Sequence, residues 1–256
     1  MKIAVLLTMV PDLVDELEID AAGTALETQW LRYVLSESDD HALEQALVLK
    51  DRYGADVTAL ALDHGDVDQT LFTALAKGAQ EAVKIGPLPR PDPGRREAAA
   101  IFAGVLAAWS PDLILAGVQA INDCDGHLPG LLGGLLTLPS IGVTRSVDIA
   151  ASGTVTVLKE YPGGLAAEMT VALPAVIGVL SAPQPPRYVP VARIREVTKS
   201  RTLASAPTPA VSGPPAPTIR RLFKPEPSGR AKMLTGTPDQ AAAELVSILE
   251  NRGVLR

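Results

Sequence analysis

The chain has 256 residues, of which 47% are hydrophobic, which is enough for one large domain or for one domain with an appendage. Its formal net charge is −6, its pI is near 5.1, and no basic stripe is present, so we expect no nucleic-acid partner. A single cysteine excludes an internal disulfide framework and a multi-cysteine metal site, and it favours a cytoplasmic location.

The opening MKIAVLLTMV is interpreted as a first β-strand. The polar segment PDLVDELEID follows at once, without the small-residue cleavage site of a signal peptide. No apolar run approaches the roughly 20 residues that a membrane-spanning helix needs. We therefore expect no insertion into a membrane.

The first half of the chain alternates strand and helix patterns. In chain order we predict the strand KIAVLL, the helix DDHALEQALVLKDRYG, the strand ADVTALAL, the helix DVDQTLFTALAKGA, the strand EAVKIG, the helix GRREAAAIFAGVLAAWS, the strand PDLILAG, the glycine-weakened helix LPGLLGGLLTLPS and the strand IGV. Strands separated by helices are typical of βαβ units. The pattern predicts an α/β fold with a mostly parallel sheet and helices on both faces.

After residue 143 the pattern changes to short alternating stretches with turn signals at Ala151-Ser152-Gly153 and Pro162-Gly163-Gly164. These features predict a β-meander that adds antiparallel strands to the parallel sheet.

In the C-terminal part, residues 181–227 hold 11 of the 22 prolines, and such a composition cannot build a core. A helix is predicted beyond it over residues 238–252, with Thr237 as N-cap and Pro238 in its first turn. Its apolar face needs a surface to pack on, which is either its own domain or a partner subunit.

Three loops follow predicted strand ends: LTMVPD, DHGD and GVQAINDCDG. In open parallel sheets, ligands bind outside the carboxyl ends of the strands. We group SESDD, before the first helix, with these loops. Together they would offer an anion a pocket of backbone N–H groups and helix N-termini, although ordinary βα loops have the same pattern.

Metal binding and nucleophilic catalysis are not expected. The three histidines, His41, His64 and His127, lie in separate segments without the spacing of a metal site. Cys124 lies between two aspartates, which disfavour its thiolate. No P-loop, GxSxG or dinucleotide fingerprint is present, so we expect no enzyme active site.

Four segments, in the family's order, resemble the β subunit of electron-transfer flavoproteins. GVQAINDCDG is similar to the family's G-K-Q-A-I-D-D-D loop, VLKEYPGGLAAEMTVALPAVIGV to V-x-R-E-x-D-G-G-L-E-x-x-x-x-x-L-P-A-V, GDVDQTLFTALAKGAQEAV to Q-E-T-L-R-x-A-L-A-x-G-A-D, and PRYVPVARI to P-R-Y-A-T-L-P-N-I. The chain is identified as a divergent member of that family.

The resemblance implies a fold related to adenine-nucleotide hydrolase-like domains and a heterodimer with an α subunit. The α subunit would carry most of the FAD site, this chain would complete it and bind a structural AMP, and the pair would carry electrons from a flavin dehydrogenase to a respiratory or other acceptor. Two alternatives stay open: an electron-bifurcating version with a second FAD in place of AMP, and a redox-inactive nucleotide-binding module of the same fold.

The resemblance and the loops together give the expected site residues. Cofactor contacts are expected at Leu6, Ser36, Glu37, Ser38, Asp39, His64, Gly117, Val118, Gln119, Ala120, Ile121, Asn122, Asp123, Cys124, Asp125, Gly126, His127 and Leu128. A docking loop for dehydrogenases is expected over residues 187–196, with Arg187, Tyr188, Val191, Arg193, Ile194 and Arg195, and with Val191 at the family's exposed leucine anchor.

The sequence departs from the family pattern where cations or donors are expected. Thr8-Met9-Val10 replaces K-R-V, Ser36-Glu37-Ser38-Asp39-Asp40 replaces N-P-F-D-E, Phe72 replaces an arginine, and His127-Leu128-Pro129 replaces Q-T-G. A lost charge-assisted hydrogen bond costs about 1.5–3 kcal/mol. Such losses would weaken AMP binding or let FAD take the place of AMP. Carboxylates beside a phosphate are unfavourable unless they turn outward or cap the next helix.

These observations predict a nucleotide-binding α/β domain over residues 1–190. Residues 191–256 are predicted to hold the docking loop, the proline-rich tether and an extended C-terminal helical arm, which in the resemblance lies on the α subunit.

Overall fold

The computed structural model describes residues 1–89, 93–123, 127–151, 153–210, 218–226, 229, 231 and 233–255. The chain divides into two compact units, Met1–Arg220 and Arg221–Arg256. In the part of the chain that is described, no helix is long and apolar enough to cross a membrane.

Helices and strands alternate through the first unit. The helices are α1 (Glu37–Tyr53), α2 (Val67–Lys77), α3 (Arg95–Trp109), α4 (Leu128–Leu136) and α5 (Val191–Ser200), and α6 (Pro238–Asn251) lies in the second unit. The strands are β1 (Lys2–Leu7), β2 (Met9–Pro11), β3 (Tyr33–Leu35), β4 (Asp56–Leu62), β5 (Glu81–Ile85), β6 (Leu113–Gly117), β7 (Ser140–Ile149), β8 (Thr154–Tyr161), β9 (Leu165–Ala172), β10 (Ala175–Val179) and β11 (Ala204–Ala206).

The main sheet has the strand order β11-β5-β4-β1-β6-β10-β7-β8-β9 among the described residues. Pairing is parallel from β11 to β7 and antiparallel from β7 to β9, so the α/β fold and the added meander are confirmed. The chain runs outward from β1 to β4 and β5, then returns to β6 on the other side of β1. The carboxyl ends of β1 and β6 are therefore a switch point, where α/β folds bind ligands.

Helices cover both faces of this sheet because β1 alternates its side chains between two cores. Ile3 and Val5 pack in a cluster with residues of α1 and α2. Ala4 and Leu6 point to the opposite face, where Phe102 of α3 belongs to the same cluster.

Two short strands were not expected from the sequence. β2 and β3 form a separate antiparallel pair, with Met9 opposite Leu35. This pair joins the loop after β1 to the segment before α1. The predicted loop SESDD also differs, because residues 37–40 already form the first turn of α1, with Ser36 at the N-cap position.

The predicted docking loop is instead partly helical, since α5 begins at Val191. Val197 is buried in the core cluster that includes α2, and this burial gives the helix a surface to pack on. β11 follows and pairs with β5, which satisfies the backbone groups of an edge strand. The predicted boundary at residue 190 thus precedes α5 and β11, whereas the first compact unit continues to Arg220.

In the second unit, α6 has the N-terminus that the sequence predicted. The Thr237 side chain accepts from the Gln240 N–H, and the Gln240 side chain accepts from the Thr237 N–H, with Pro238 in the first turn. No residue of α6 is buried.

Candidate functional site

The carboxyl ends of β1 and β6 are joined by one side chain, Asp39, in the first turn of α1. Its Oδ2 accepts from the Thr8 N–H at 2.9 Å, and its Oδ1 accepts from the Gly117 N–H at 2.6 Å. The close approach requires glycine at position 117, since a Cβ there would lie 2.2 Å from the Ser38 hydroxyl. The two strand ends and the helix N-terminus are thus held together.

Asp39 is buried, and this burial has an electrostatic consequence. Burial raises the pKa of its carboxyl to about 6, against the opposing effects of the Gly117 N–H and of the positive charge on Arg95. The carboxylate oxygens are taken up by backbone donors. Asp39 is therefore a brace of the site rather than a group available to a ligand.

The loop after β6 is fixed at several points. The Ser38 hydroxyl donates to the Gln119 carbonyl at 2.8 Å, and the Val118 N–H donates to the Val179 carbonyl at 2.9 Å. Asp123 Oδ2 accepts from the Ala120 N–H at 2.9 Å, which closes a turn. The carboxylate of Asp123 is thus turned into the protein.

A cation at this site was missed by the sequence analysis. Arg95, the first residue of α3, donates through Nε to Asp123 Oδ1. Its Nη2 forms an ion pair with the same oxygen, and its Nη1 lies 3.4 Å from the Thr8 hydroxyl. The segment before α3 also follows a strand end, that of β5. Including that loop among the pocket loops would have pointed to Arg95.

The other expected cofactor residues lie at different depths. Leu6, Ser36 and Leu128 are buried, Val118, Ser38 and His64 are half-buried, and Glu37, Gln119, Ile121, Asn122 and His127 are exposed. Leu6 is fully enclosed in the core, so its side chain has no surface for a ligand. Cys124, Asp125 and Gly126 lie outside the described residues.

His64 belongs to a neighbouring part of the same edge. Its ring packs edge-on against Tyr33 of β3, with 4.2 Å between ring centroids. The loop around it borders a cleft of about 410 Å³, lined by Asp63, Gly65, Asp66, Val67, Asp68, Gln69, Phe72, Lys84 and Thr198. Three aspartates against one lysine make this cleft unfavourable for a phosphate.

The expected docking residues divide into an internal group and an exposed one. Arg187 bonds both carboxylate oxygens of the buried Glu44 and also contacts Asp51 at 2.9 Å, so it fixes the chain onto α1. Tyr188 is 83% exposed and Val191 is 57% exposed at the start of α5. Arg193, Ile194 and Arg195 follow on α5, where Arg193 pairs with Glu196 and Ile194 is half-buried.

Metal ligands do not cluster in the described residues: no group of three or more histidine, cysteine, aspartate or glutamate side chains is placed to hold an ion.

Comparisons with known proteins agree with one another. The model of the electron transfer flavoprotein domain matches residues 6–207. The chain is 28% identical to the electron transfer flavoprotein subunit beta of Methylophilus methylotrophus, over 97% of this chain and 98% of that protein. It is 32% identical to the mitochondrial electron transfer flavoprotein subunit beta of Oryza sativa subsp. indica, over 79% and 80% of the two chains. It is also 26% identical, over 100% of both chains, to subunit CarD of the caffeyl-CoA reductase-Etf complex of Acetobacterium woodii.

Proposed function

Because this chain belongs to the electron transfer flavoprotein family, as a relative of its β subunits, we propose that it pairs with an α subunit and binds a structural AMP at the carboxyl ends of β1 and β6. The heterodimer carries electrons from a dehydrogenase to a respiratory or other acceptor. FAD, held mostly by the α subunit, supplies the redox chemistry when bound. The role of this chain is to complete that site and to present docking surfaces.

The nucleotide proposal rests on one observation: the carboxylates of both buried aspartates at the site have their hydrogen-bond partners within the protein. Asp39 accepts two backbone N–H groups, and Asp123 accepts Arg95 and the Ala120 N–H. Neither carboxylate is left to repel a phosphate, so the residues present fit AMP. The groups that would hold it are the Ser38 and Thr8 hydroxyls and the exposed part of the loop after β6.

Nucleotide analysis of the heterodimer tests this proposal. The chain is co-expressed with a candidate α subunit from the same genome, the pair is purified and desalted, and its nucleotides are released and quantified by chromatography. We expect one FAD and one AMP per heterodimer. Two FAD molecules would instead indicate the bifurcating alternative, and a pair without flavin would indicate a redox-inactive nucleotide-binding module.

Dehydrogenase docking is assigned to the start of α5. Tyr188 and Val191 present apolar surface beside Arg193 and Arg195, which suits a transient contact steered by charge. We expect Val191→Ala to raise the KM for the dehydrogenase while the yield of heterodimer stays unchanged, because α5 is held by Val197 instead. Steady-state reduction of the heterodimer by a dehydrogenase measures this, and an unchanged KM contradicts it.

The C-terminal helix is assigned to the α subunit, since α6 has no buried residue and yet carries an apolar face. Hydrogen exchange over residues 238–251 should slow when the α subunit is present. Strong protection without it would contradict the assignment.

We also propose a cytoplasmic location, which the single cysteine fits. Cell fractionation checks this proposal.

A further inference from the structure

A buried ion pair ties three elements together beside the nucleotide site. The Arg95 side chain is 8% exposed and that of Asp123 is 3% exposed. The Nε of Arg95 donates to the carboxylate oxygen with which its Nη2 forms the ion pair. The third nitrogen of Arg95 reaches the Thr8 hydroxyl at the end of β1. A planar guanidinium presents donors in a fixed fork, so one arginine can hold both groups at once.

Through its hydrogen bonds to Ala120, Asp123 links the ion pair to the loop after β6. Its second oxygen accepts from the Ala120 N–H at 2.9 Å, and its own N–H donates to the Ala120 carbonyl at 3.1 Å. The turn over residues 120–123 is therefore closed by the carboxylate that Arg95 holds. Releasing Arg95 would free the turn and leave a buried negative charge in it.

The positive charge on Arg95 also acts on the pKa of a neighbouring carboxyl group. The neighbouring Asp39 is buried, and the positive charge of Arg95 opposes the rise in its pKa. Thr8, which Arg95 contacts, stands at the position after β1 where the resemblance expects a cation. A positive charge is thus brought to the end of β1 from α3 instead of from the β1 loop.

We propose that Arg95 is the positioning residue of the nucleotide site: through Asp123 it holds residues 117–123 in the conformation that receives AMP. The inference rests on the proposed function and deepens it. Arg95 acts on the loop, and it takes no part in electron transfer.

The experiment uses the heterodimer after removal of its nucleotide, with AMP as the probe in calorimetric titrations. Arg95→Ala should raise the Kd for AMP about tenfold or more, which corresponds to about 1.4 kcal/mol or more. Arg95→Lys keeps the charge and should recover part of the affinity. The matched control is Arg52→Ala, which removes the same charge from an exposed position near the C-terminus of α1 and should leave the Kd unchanged.

A second variant tests the route through the ion pair. If Arg95 acts through Asp123, the double variant Arg95→Ala/Asp123→Asn should bind AMP no more weakly than Arg95→Ala alone. Fully additive losses would contradict that route. If Arg95→Ala does not fold, Arg95→Lys and Asp123→Asn decide, since either one should weaken AMP binding more than Arg52→Ala.

Hydrogen exchange separates this inference from the proposed function. In the nucleotide-free heterodimer, Arg95→Ala should speed exchange at residues 118–123 but not at Leu113–Ala116 within β6. Tight AMP binding by the wild type with an unchanged Kd and unchanged exchange in Arg95→Ala would overturn the inference alone. Failure of the wild type to bind AMP would overturn the proposed function, whatever the exchange shows.

Discussion

Two buried acids on the same helix show opposite electrostatic behaviour. Asp39, in the first turn of α1, accepts two neutral backbone N–H groups, and burial raises its pKa to about 6. Glu44 lies further along α1, where burial alone would raise its pKa too. There, however, the side chain and backbone of Arg187 and the side chain of Gln184 donate to the carboxylate and hold the pKa below its ordinary value.

The difference shows that the kind of donor, together with the depth of burial, decides the direction in which the pKa shifts. A guanidinium in direct contact compensates for desolvation, whereas two N–H dipoles and a more distant arginine do so only in part. The contrast fits the roles of the two places. Glu44 fastens the segment before α5 to the domain. Asp39 holds together the strand ends at which we propose the nucleotide site.

The largest expected effect on stability comes from breaking the ion pair between Arg187 and Glu44. Arg187→Ala leaves the Glu44 carboxylate buried without its counter-charge and should lower the free energy of unfolding by about 3–4 kcal/mol at pH 7. Arg187 is 28% exposed, which places the effect at the lower end of what such losses cost. Urea unfolding with an unchanged m-value measures it.

A milder variant at the same pair gives the control. Arg187→Lys keeps the charge but loses the two-pronged contact, so it should lie between wild type and Arg187→Ala. If Arg187→Ala costs less than about 1 kcal/mol, Glu44 behaves like a surface acid and the comparison fails.

The second prediction concerns the dependence of stability on pH through Asp39, which no guanidinium contacts directly. The pKa of Asp39 is about 6 in the folded chain and 3.8 as its ordinary value, so between these pH values the folded state binds more protons. The free energy of unfolding contributed by this group therefore falls as pH rises from about 4 to 6, by at most about 3 kcal/mol. Asp39→Asn should remove that slope.

For Glu44 we predict the opposite slope of the free energy of unfolding against pH, in a lower pH range. Its folded pKa lies below the ordinary 4.5, so its stabilising contribution is present above pH 4.5 and is lost as pH falls through the folded value. Unfolding free energies measured from pH 3 to pH 7 in the wild type, Asp39→Asn and Arg187→Ala separate the two slopes. Equal slopes in the wild type and Asp39→Asn would contradict the assignment to Asp39.

Much of the fold could be predicted from the sequence because its signals are local. Apolar runs followed by helical periodicity identify the βαβ units, and the parallel arrangement places the loops after β1 and β6 at one edge. Thr237 marked the start of α6 through its own side chain. The three-residue strands β2 and β3 carried no such signal, because three residues are too few to show a period.

The site contacts could not be predicted in the same way, since they join residues that are distant in the chain. Arg95 and Asp123 are 28 positions apart, and Arg187 and Glu44 are 143 positions apart. The resemblance placed Arg187 among the docking residues because PRYVPVARI matches the family's P-R-Y-A-T-L-P-N-I segment. Only the folded chain shows the buried glutamate beside it.

The smallest expected effect comes from an ion pair at the far end of α1, where both partners are exposed. Arg52 lies 3.4 Å from Asp148, with about half of each side chain open to solvent. Arg52→Ala removes the same side chain as Arg187→Ala but should change the free energy of unfolding by no more than about 0.5 kcal/mol, because exposed pairs are screened by water and salt. The same urea titration measures both variants. A loss above about 1.5 kcal/mol from Arg52→Ala would mean that burial does not separate the two ends of α1, since exposed pairs typically contribute up to about 1 kcal/mol.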